Sequence, residues 1–357
     1  MLYLSHRDKT QWIAMLLKTT KAALLKGIDQ VLLTYQVAAL TKQVDRVLYD
    51  YVKTSQDIFW GCRPTVLPPK KFFFPPHETL LDYTADGQVS APIESKPLVL
   101  LGIHPCDLRG IQILDEAFAD LHGDPNYLER REKAIIIGLD CHQNCDQDSF
   151  CYKVGANYAK TGYDIMLYPL KDDQYLVEIA TDRGSVFAEQ FLRAIKGEET
   201  ELEEYQQTKA KAFESLKPFK DLEKFPELFQ ENTHHPIWAH EGARCLSCGS
   251  CVMVCPTCYC FNVTDDWALN MQTGKRERHW DGCMLHDFTT VATGENFRPT
   301  ATARLHHRIN RKFNYLMKKH GQAVCVGCGR CVRACLAEIS PKTIAEAING
   351  EDEKEWN

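Results

Sequence analysis

The sequence predicts an α+β fold, in which an N-terminal helical and α/β region with a small mixed sheet precedes a helical domain rich in cysteine. Two observations lead to this prediction. Two cysteine runs of identical spacing occupy the C-terminal third, on either side of a long insert. Before them, two apolar runs joined by a helical pattern are typical of an α/β unit.

The cysteine runs indicate iron–sulfur clusters. Each run has the pattern Cys-x-x-Cys-x-x-Cys-x-x-x-Cys, over residues 245–255 and 325–335. In ferredoxins with two [4Fe–4S] clusters, the fourth cysteine of each run binds the other cluster. The predicted ligands are therefore Cys245, Cys248, Cys251 and Cys335 for cluster 1, and Cys325, Cys328, Cys331 and Cys255 for cluster 2.

Tetrahedral zinc is the alternative for any Cys-x-x-Cys pair, because zinc sites also take four thiolates at that spacing. Zinc would leave half of these eight cysteines spare, whereas a third step followed by x-x-x-Cys, present twice, is typical of [4Fe–4S] proteins. Gly249, Gly327 and Gly329 agree with clusters, since glycine lets backbone amides approach sulfur.

The insert between the runs, residues 261–323, is longer than a compact β-type ferredoxin tolerates and favours a two-cluster domain of the helical ferredoxin type. Its end carries a row of cations, which could be a docking face for an acidic partner protein or a solvated helix face. The row consists of Arg304, Arg308, Arg311, Lys312, Lys318 and Lys319.

The α/β unit predicts a third cluster. Residues 98–103 and 133–139 read as buried strands, and Asp107 could cap the helix between them. Each strand ends near a cysteine, and adjacent parallel strands would bring both to the carboxyl edge of the sheet. With two more cysteines in the next loop, the predicted [4Fe–4S] ligands are Cys106, Cys141, Cys145 and Cys151. Ordinary buried cysteines are the alternative.

Three further cysteines lie near the runs, at Cys258, Cys260 and Cys283. Three thiolates are one short of a [4Fe–4S] cube. They could bind a further cluster with a non-cysteine ligand such as His286, or pack around the first two clusters.

The remaining segments set the predicted domain limits. Residues 10–26 have helical spacing with Gly27 as the stop, and residues 163–179 alternate like antiparallel strands of the same sheet. Paired prolines in 66–76 predict a stiff strap, or a surface against a cofactor or partner. The predicted domains are an N-terminal helical region (1–65), an α/β domain with the third cluster (66–195), a solvated acidic helical linker (196–235) and the two-cluster helical domain (236–357).

Composition narrows the function classes. The chain has 357 residues and a formal net charge of −6, which gives no hint of nucleic-acid binding. Neither a signal peptide nor a membrane span is evident. Sixteen cysteines fit metal ligands in a reducing compartment better than disulfides, and a cytoplasmic location is expected.

Seven stretches together resemble a known family, the beta subunits of cytoplasmic NADP-linked [NiFe]-hydrogenases (sulfhydrogenases) and the related A-subunits of anaerobic sulfite reductases. They are residues 68–74, 102–107, 131–138, 245–260, 276–283, 296–299 and 325–335. The first sixty residues match nothing in that family. Ser149 stands where members have the first cysteine of a Cys-x-Cys pair, so that Cys145 could substitute, and Leu336 replaces a proline.

The resemblance implies an electron-transfer subunit without catalytic residues or cofactors beyond its clusters. Its partners would be a flavin subunit that binds NAD(P)H and a terminal subunit, either a [NiFe]-hydrogenase or a sirohaem sulfite reductase. The sequence itself lacks the glycine-rich nucleotide fingerprints. The alternative is a catalytic subunit that reduces sulfur or sulfite at a cluster with an open coordination position. A redox sensor is less favoured, because no helix-turn-helix is evident.

Overall fold

The computed structural model describes residues 15–61, 63–352 and 356. Its strands are β1 (Met15–Thr20), β2 (Gln36–Gln43), β3 (Arg46–Tyr51), β4 (His77–Thr84), β5 (Val89–Ser90), β6 (Leu98–Ile103), β7 (Ala134–Leu139), β8 (Ile165–Pro169), β9 (Gln174–Ile179), β10 (Ile195–Lys196), β11 (Phe261–Trp267) and β12 (Thr273–Trp280). Its helices are α1 (Lys21–Val31), α2 (Pro105–Ala119), α3 (Pro125–Glu132), α4 (Asp182–Phe191), α5 (Glu199–Phe213), α6 (Phe225–Glu231), α7 (Ile237–Arg244), α8 (Ser250–Met253), α9 (Ala301–Asn310), α10 (Leu316–His320), α11 (Arg330–Arg333) and α12 (Pro341–Ile348).

The α/β region is built on an eight-stranded mixed sheet with strand order β10-β1-β9-β8-β7-β6-β2-β3. The central pairs β2–β6, β6–β7 and β7–β8 are parallel, and the outer pairs are antiparallel. Two buried apolar clusters cover the two faces of this sheet, and a third lies among the C-terminal helices. The predicted α+β fold class is therefore confirmed.

The helix predicted over residues 10–26 is wrong for Met15–Thr20 and correct for residues 21–26, which form the first part of α1. Met15–Thr20 is a strand that pairs with β9 over six residues and with β10 on its other side, so distant strands rather than local helical spacing decide its structure. Thr20 then caps α1, accepting a hydrogen bond from the Ala23 amide at 3.2 Å. Gly27 lies inside α1 rather than at its end, where a Cβ would come within 2.2 Å of the Phe191 carbonyl oxygen. Residues 10–14 lie outside the described part of the chain.

The predicted α/β unit is confirmed, with one change at the helix start. Strands β6 and β7 are adjacent and parallel, and β8 and β9 follow as the expected antiparallel pair. Helix α2 begins at Pro105, with His104 rather than Asp107 in the capping position. Asp107 is instead buried and bound by Arg330, an interaction that the local sequence pattern cannot reveal.

The insert between the cysteine runs is part strand and part helix. Its β11–β12 hairpin joins β4 and β5 in a separate four-stranded sheet of order β11-β12-β4-β5. Its second half is α9, a π-helical turn at Arg311–Tyr315, and α10. A π turn shifts the helix register and often lies at functional sites. The insert therefore places one helical rod alongside both cysteine runs.

The residues predicted to form a solvated linker are helical but not simply solvated. Helices α5 and α6 bury Tyr205, Phe213, Phe225 and Phe229. Their apolar positions recur at helical spacing, and both helices pack onto the core beneath them. Within residues 15–61, 63–352 and 356, no helix is both long enough and apolar enough to cross a bilayer.

Candidate iron–sulfur sites

The two cysteine runs fold into the same local structure. In each run, a left-handed glycine starts a short helix that carries the third cysteine: Gly249 (φ 75°) before α8 and Gly329 (φ 71°) before α11. In both runs, the residue just before the second cysteine also has a left-handed backbone conformation: Ser247 (φ 54°) and Gly327 (φ 61°). The repeated spacing therefore produces two equivalent thiol-bearing turns, and α8 packs against α11.

The predicted ligands of cluster 1 come together across the two runs. Cys245, Cys248, Cys251 and Cys335 line one cavity with Met284, Leu305 and Arg308. Burial raises the pKa of the Cys251 thiol to about 12, and the neighbouring Cys331 of the other run raises this pKa further. The crossed assignment of Cys335 to the earlier run is thus compatible with the fold.

The predicted ligands of cluster 2 also lie near one another. Burial raises the pKa of the Cys325 thiol to about 12, with further increases from Cys331, Cys255 and Cys328 in the same surroundings. Cys255 belongs to the earlier run, so its position beside Cys325 is compatible with the crossed assignment. Buried thiolates at this density need compensating positive charge, which iron supplies when bound.

The thiols are too far apart for a single ion. A tetrahedral zinc ion with Zn–S bonds of about 2.3 Å would hold its sulfur atoms about 3.8 Å apart. Among the residues that the structure describes, no three cysteines have Sγ atoms all within 4.8 Å of one another. The described residues therefore contain no set of thiols already spaced for one zinc ion.

Buried cations surround these thiols. Arg304, Arg308 and Lys312 are 4%, 4% and 5% exposed, so the expectation that they form a docking or solvated face is wrong for these three. Arg308 donates to the Cys251 carbonyl at 3.4 Å, and its Nε is buried without a hydrogen-bond partner in the described protein. A sulfide of a bound cluster would supply an acceptor there. Only toward the helix end, at Lys318 and Lys319, are the side chains exposed.

Lys312 places a positive charge close to the Cys255 thiol. Its Nζ donates to the Thr257 hydroxyl at 2.7 Å, and that hydroxyl lies 3.4 Å from the Cys255 sulfur. A hydrogen bond with the Cys258 thiol, followed by the charges of Lys312 and Arg308, lowers the pKa of Cys255. The thiolate form that binds iron is therefore favoured at this position.

The second group, Cys258, Cys260 and Cys283, lies beside the first. Lys70 of the proline-rich strap is 2% exposed, and its Nζ donates to the Cys258 carbonyl at 2.8 Å and lies 4.1 Å from the Trp280 ring centre. Burial raises the pKa of the Cys283 thiol, and Cys260 raises it further. His286 pairs with Asp287 on the surface at 2.7 Å, which gives no support to its role as a fourth ligand. A further cluster here stays a prediction.

The third set is linked to the second run through Cys106. Burial raises the pKa of the Cys106 thiol, and the thiols of Cys328 and Cys151 lie within electrostatic range of it. Cys141 lies 3.5 Å from His104 Nδ1, and the other ring nitrogen of His104 is buried without a partner among the described residues. Cys145 lines a cleft with Arg330 and Arg333.

These contacts do not define a closed set of four thiols, so the ligands of a third cluster remain a prediction. The sequence holds one more cysteine, Cys62, which lies outside the described residues.

The loop that carries Cys151 packs directly on the second run. The Phe150 amide donates to the Gly327 carbonyl at 2.7 Å. A Cβ on Gly327 would lie 2.5 Å from the Phe150 backbone, and one on Gly329 would lie 2.6 Å from the Asp148 oxygen. The two glycines are therefore needed for loop contact, in addition to any role beside sulfur.

Two buried ion pairs, both missed by sequence reasoning, hold the cysteine segments in place. Arg330, between Cys328 and Cys331, forms a bidentate salt bridge with Asp107, with donor–acceptor distances of 2.7 and 2.6 Å. Both side chains are almost fully buried. Lys209 of α5 binds both oxygens of Asp140, next to Cys141, at 2.8 and 2.7 Å. No short motif signals either pair, because the partners are distant in sequence.

Comparison with known proteins identifies the family. Residues 244–339 match the family model of a 4Fe-4S dicluster domain. Over 304 residues the chain is 32% identical to sulfhydrogenase 2 subunit beta of Pyrococcus furiosus, an alignment that covers 84% of this chain and 88% of the relative. The resemblance seen in the sequence motifs is thereby confirmed. With that identity over most of both chains, and a dicluster domain that includes both cysteine runs, this chain belongs to the sulfhydrogenase beta-subunit family of iron–sulfur proteins.

Proposed function

We propose that this chain is a non-catalytic iron–sulfur subunit that passes electrons through a multisubunit, hydrogenase-type oxidoreductase. The observation that carries the proposal is the series of thiol sets within one protein body. Cys251 and Cys331 relate the first set to the second, and Cys328 and Cys106 relate the second to the third. Clusters held there would each exchange single electrons at potentials set by their surroundings.

The protein's own contribution is burial and positive charge. Burial alone would lower the pKa of Arg308, but the thiols of Cys251, Cys331 and Cys255 outweigh it and raise that pKa. Arg308 is therefore a permanent cation at the junction of the two runs. A fixed cation beside a centre that gains negative charge favours the reduced form, and burial keeps water from screening the interaction.

The partners follow from the family. The P. furiosus relative is named as a beta subunit, so we place this chain in a complex with other subunits. A flavin subunit that handles NAD(P)H would lie at one end of the electron path, and the terminal catalytic subunit would lie at the other. A [NiFe]-hydrogenase is the first choice for the terminal subunit, and a sirohaem sulfite reductase the second. The cysteine content agrees with a reducing, cytoplasmic location.

Catalysis on this chain is the competing proposal. Its support is the group Cys258, Cys260 and Cys283, whose three thiols share their surroundings with the cations Arg311, Lys312 and Lys70. An anionic sulfur substrate would suit such a site. The proposal requires an iron that the protein leaves without a fourth thiolate.

Two measurements test these proposals: an iron count gives the number of clusters, and an activity assay separates electron transfer from catalysis. Anaerobically purified chain is first analysed for iron, where about eight atoms per chain indicates two cubes and about twelve indicates three. The same preparation is then tested with an artificial electron donor and sulfite or polysulfide. Turnover that appears only after partner subunits are added supports electron transfer. Turnover by the chain alone contradicts it.

A further inference from the structure

We infer that His77, Glu277 and His279 form a binding site for one divalent transition-metal ion, with zinc as the reference ion. The site lies on the four-stranded sheet, outside the cysteine sets. Two imidazoles and a carboxylate are a donor set that proteins use for zinc. The inference does not depend on the proposed electron-transfer role.

The sheet register brings the three side chains to one face. His279 of β12 lies directly opposite His77 of β4, and Glu277 is two residues before His279 on the same strand. Side chains two residues apart on a strand share a face, and directly opposed residues are cross-strand neighbours. The pairing shifts register between Arg276 and Glu277. Such bulges are found where a sheet re-aims a side chain, and this one lies next to Glu277.

The donor atoms are already near coordination distance. Nε2 of His77 lies 3.2 Å from Oε1 of Glu277, and Nε2 of His279 lies 4.0 Å from Oε2. One ligand atom from each of the three residues lies within 4.8 Å of the other two. Around tetrahedral zinc, ligands at about 2.0–2.1 Å are about 3.4 Å apart. Small rotations of the side chains would therefore complete the geometry.

No other such cluster of histidine, cysteine and carboxylate donors occurs in the part of the chain that the structure describes. The two imidazole rings are stacked, with centres 4.6 Å apart and planes 20° from parallel. Both rings therefore present the same edge to the carboxylate. Neutral imidazole is the form that binds metal.

The arginines on either side of Glu277 pair with other carboxylates rather than with Glu277. Arg276 binds Asp265, and Arg278 points to the other face of the sheet, where it binds Glu78 and Asp124. The Thr264 hydroxyl lies 3.4 Å from Nε2 of His279 and would be displaced or become a neighbour of the ion. The side chains of His77, Glu277 and His279 are 53%, 18% and 42% exposed, so an ion can enter from solvent.

A metal here would cross-link two distant segments of the chain. Strand β4 follows the strap that carries Lys70, and β12 runs into the segment that carries Cys283. An ion bound to one residue of β4 and two of β12 would fix the end of the hairpin next to that cysteine group. The role assigned to the site is therefore structural, with a fourth position facing solvent.

The test uses anaerobic holoprotein with its iron–sulfur content intact. Co²⁺ and Zn²⁺ are added as the probes, with cobalt followed by its visible ligand-field bands and zinc by equilibrium dialysis and metal analysis. His77→Ala and Glu277→Gln remove one ligand each. His240→Ala is the matched control, because His240 is equally exposed, at 45%, and lies 3.1 Å from the Glu241 carboxylate without a third donor.

We expect one zinc per chain, competition between zinc and cobalt, and a cobalt spectrum of nitrogen and oxygen ligands. Each ligand variant should weaken binding at least about tenfold, since even outer-shell changes cost that much, while His240→Ala should not. Equal binding by wild type, His77→Ala and Glu277→Gln, each with unchanged circular dichroism and iron content, overturns the inference. A thiolate-to-cobalt charge-transfer band also overturns it, because that band places the metal on cysteine.

Discussion

Arg308→Gln should lower the midpoint potential of the cluster that we place on Cys245, Cys248, Cys251 and Cys335. The side chain is 4% exposed, lines the same cavity as these four cysteines, and donates to the Cys251 carbonyl at 3.4 Å. Its positive charge favours the electron that the cluster gains on reduction. Glutamine keeps the length and some hydrogen bonding but removes the charge, so reduction becomes less favourable.

The size of the effect follows from Coulomb's law. For an assumed separation of about 7 Å between a unit charge and the cluster centre, and an effective dielectric constant of about 20, Coulomb's law gives about 2.4 kcal/mol, or about 100 mV for one electron. Rearrangement of the neighbouring cations Lys312 and Arg304 would reduce this shift. We therefore expect the potential to fall by roughly 50–100 mV.

The assay is a potentiometric titration of iron-replete protein, monitored by electron paramagnetic resonance. Arg308→Lys should retain most of the wild-type potential, because the charge remains. Lys318→Gln is the matched control on the same helical rod, and as an exposed cation screened by salt it should shift the potential by less than about 20 mV. An Arg308→Gln protein with full iron content and an unchanged potential would refute the electrostatic reasoning.

The remaining predictions concern ligands and packing. Cys255→Ala should damage the cluster of the later run and Cys335→Ala that of the earlier run; the electron paramagnetic resonance signal that is lost in each variant tests the crossing. Arg330→Met should cost about 3–5 kcal/mol of unfolding free energy, because it leaves the Asp107 carboxylate buried without its partner. Adding Asp107→Leu should recover much of the loss. A double-mutant cycle based on denaturation midpoints measures both effects. Gly327→Ala should lower the thermal midpoint more than Gly155→Ala: both glycines have a left-handed φ, but only at Gly327 would the Cβ meet a backbone atom. Equal losses at the two glycines would contradict the contact with Phe150.

Local patterns predicted much of this molecule. Residues 98–103 and 134–139 are strands, as their sequence predicts: buried parallel strands read as continuous apolar runs, and a length of six residues between turn residues favours a strand over a buried helix. The cysteine spacing also predicted both thiol-bearing turns, because each turn is formed by residues that are close together in sequence. The conformation of a ligand loop depends on residues within about ten positions of one another. A short stretch of sequence is therefore enough to predict both the loop and its ligands.

The errors arose where distant residues decide the structure. Met15–Thr20 contains apolar residues compatible with helical spacing, and it becomes a strand because β9 offers an open edge. Asp107 has the residue type and position of a helix cap, yet Arg330, more than two hundred residues later, binds it. Pairing partners of this kind leave no periodic signal in either segment.

The basic row shows why charge alone is a poor guide to exposure. Arg304, Arg308 and Lys312 recur every four residues, which places them along one face of the rod formed by α9 and the following π turn. That face is buried because the opposite surface is dense in thiols, and thiolates and guanidinium groups compensate each other where either alone would be too costly. The buried cations and the buried thiols therefore stabilise each other. The helical insert between the two cysteine runs places these cations beside both runs.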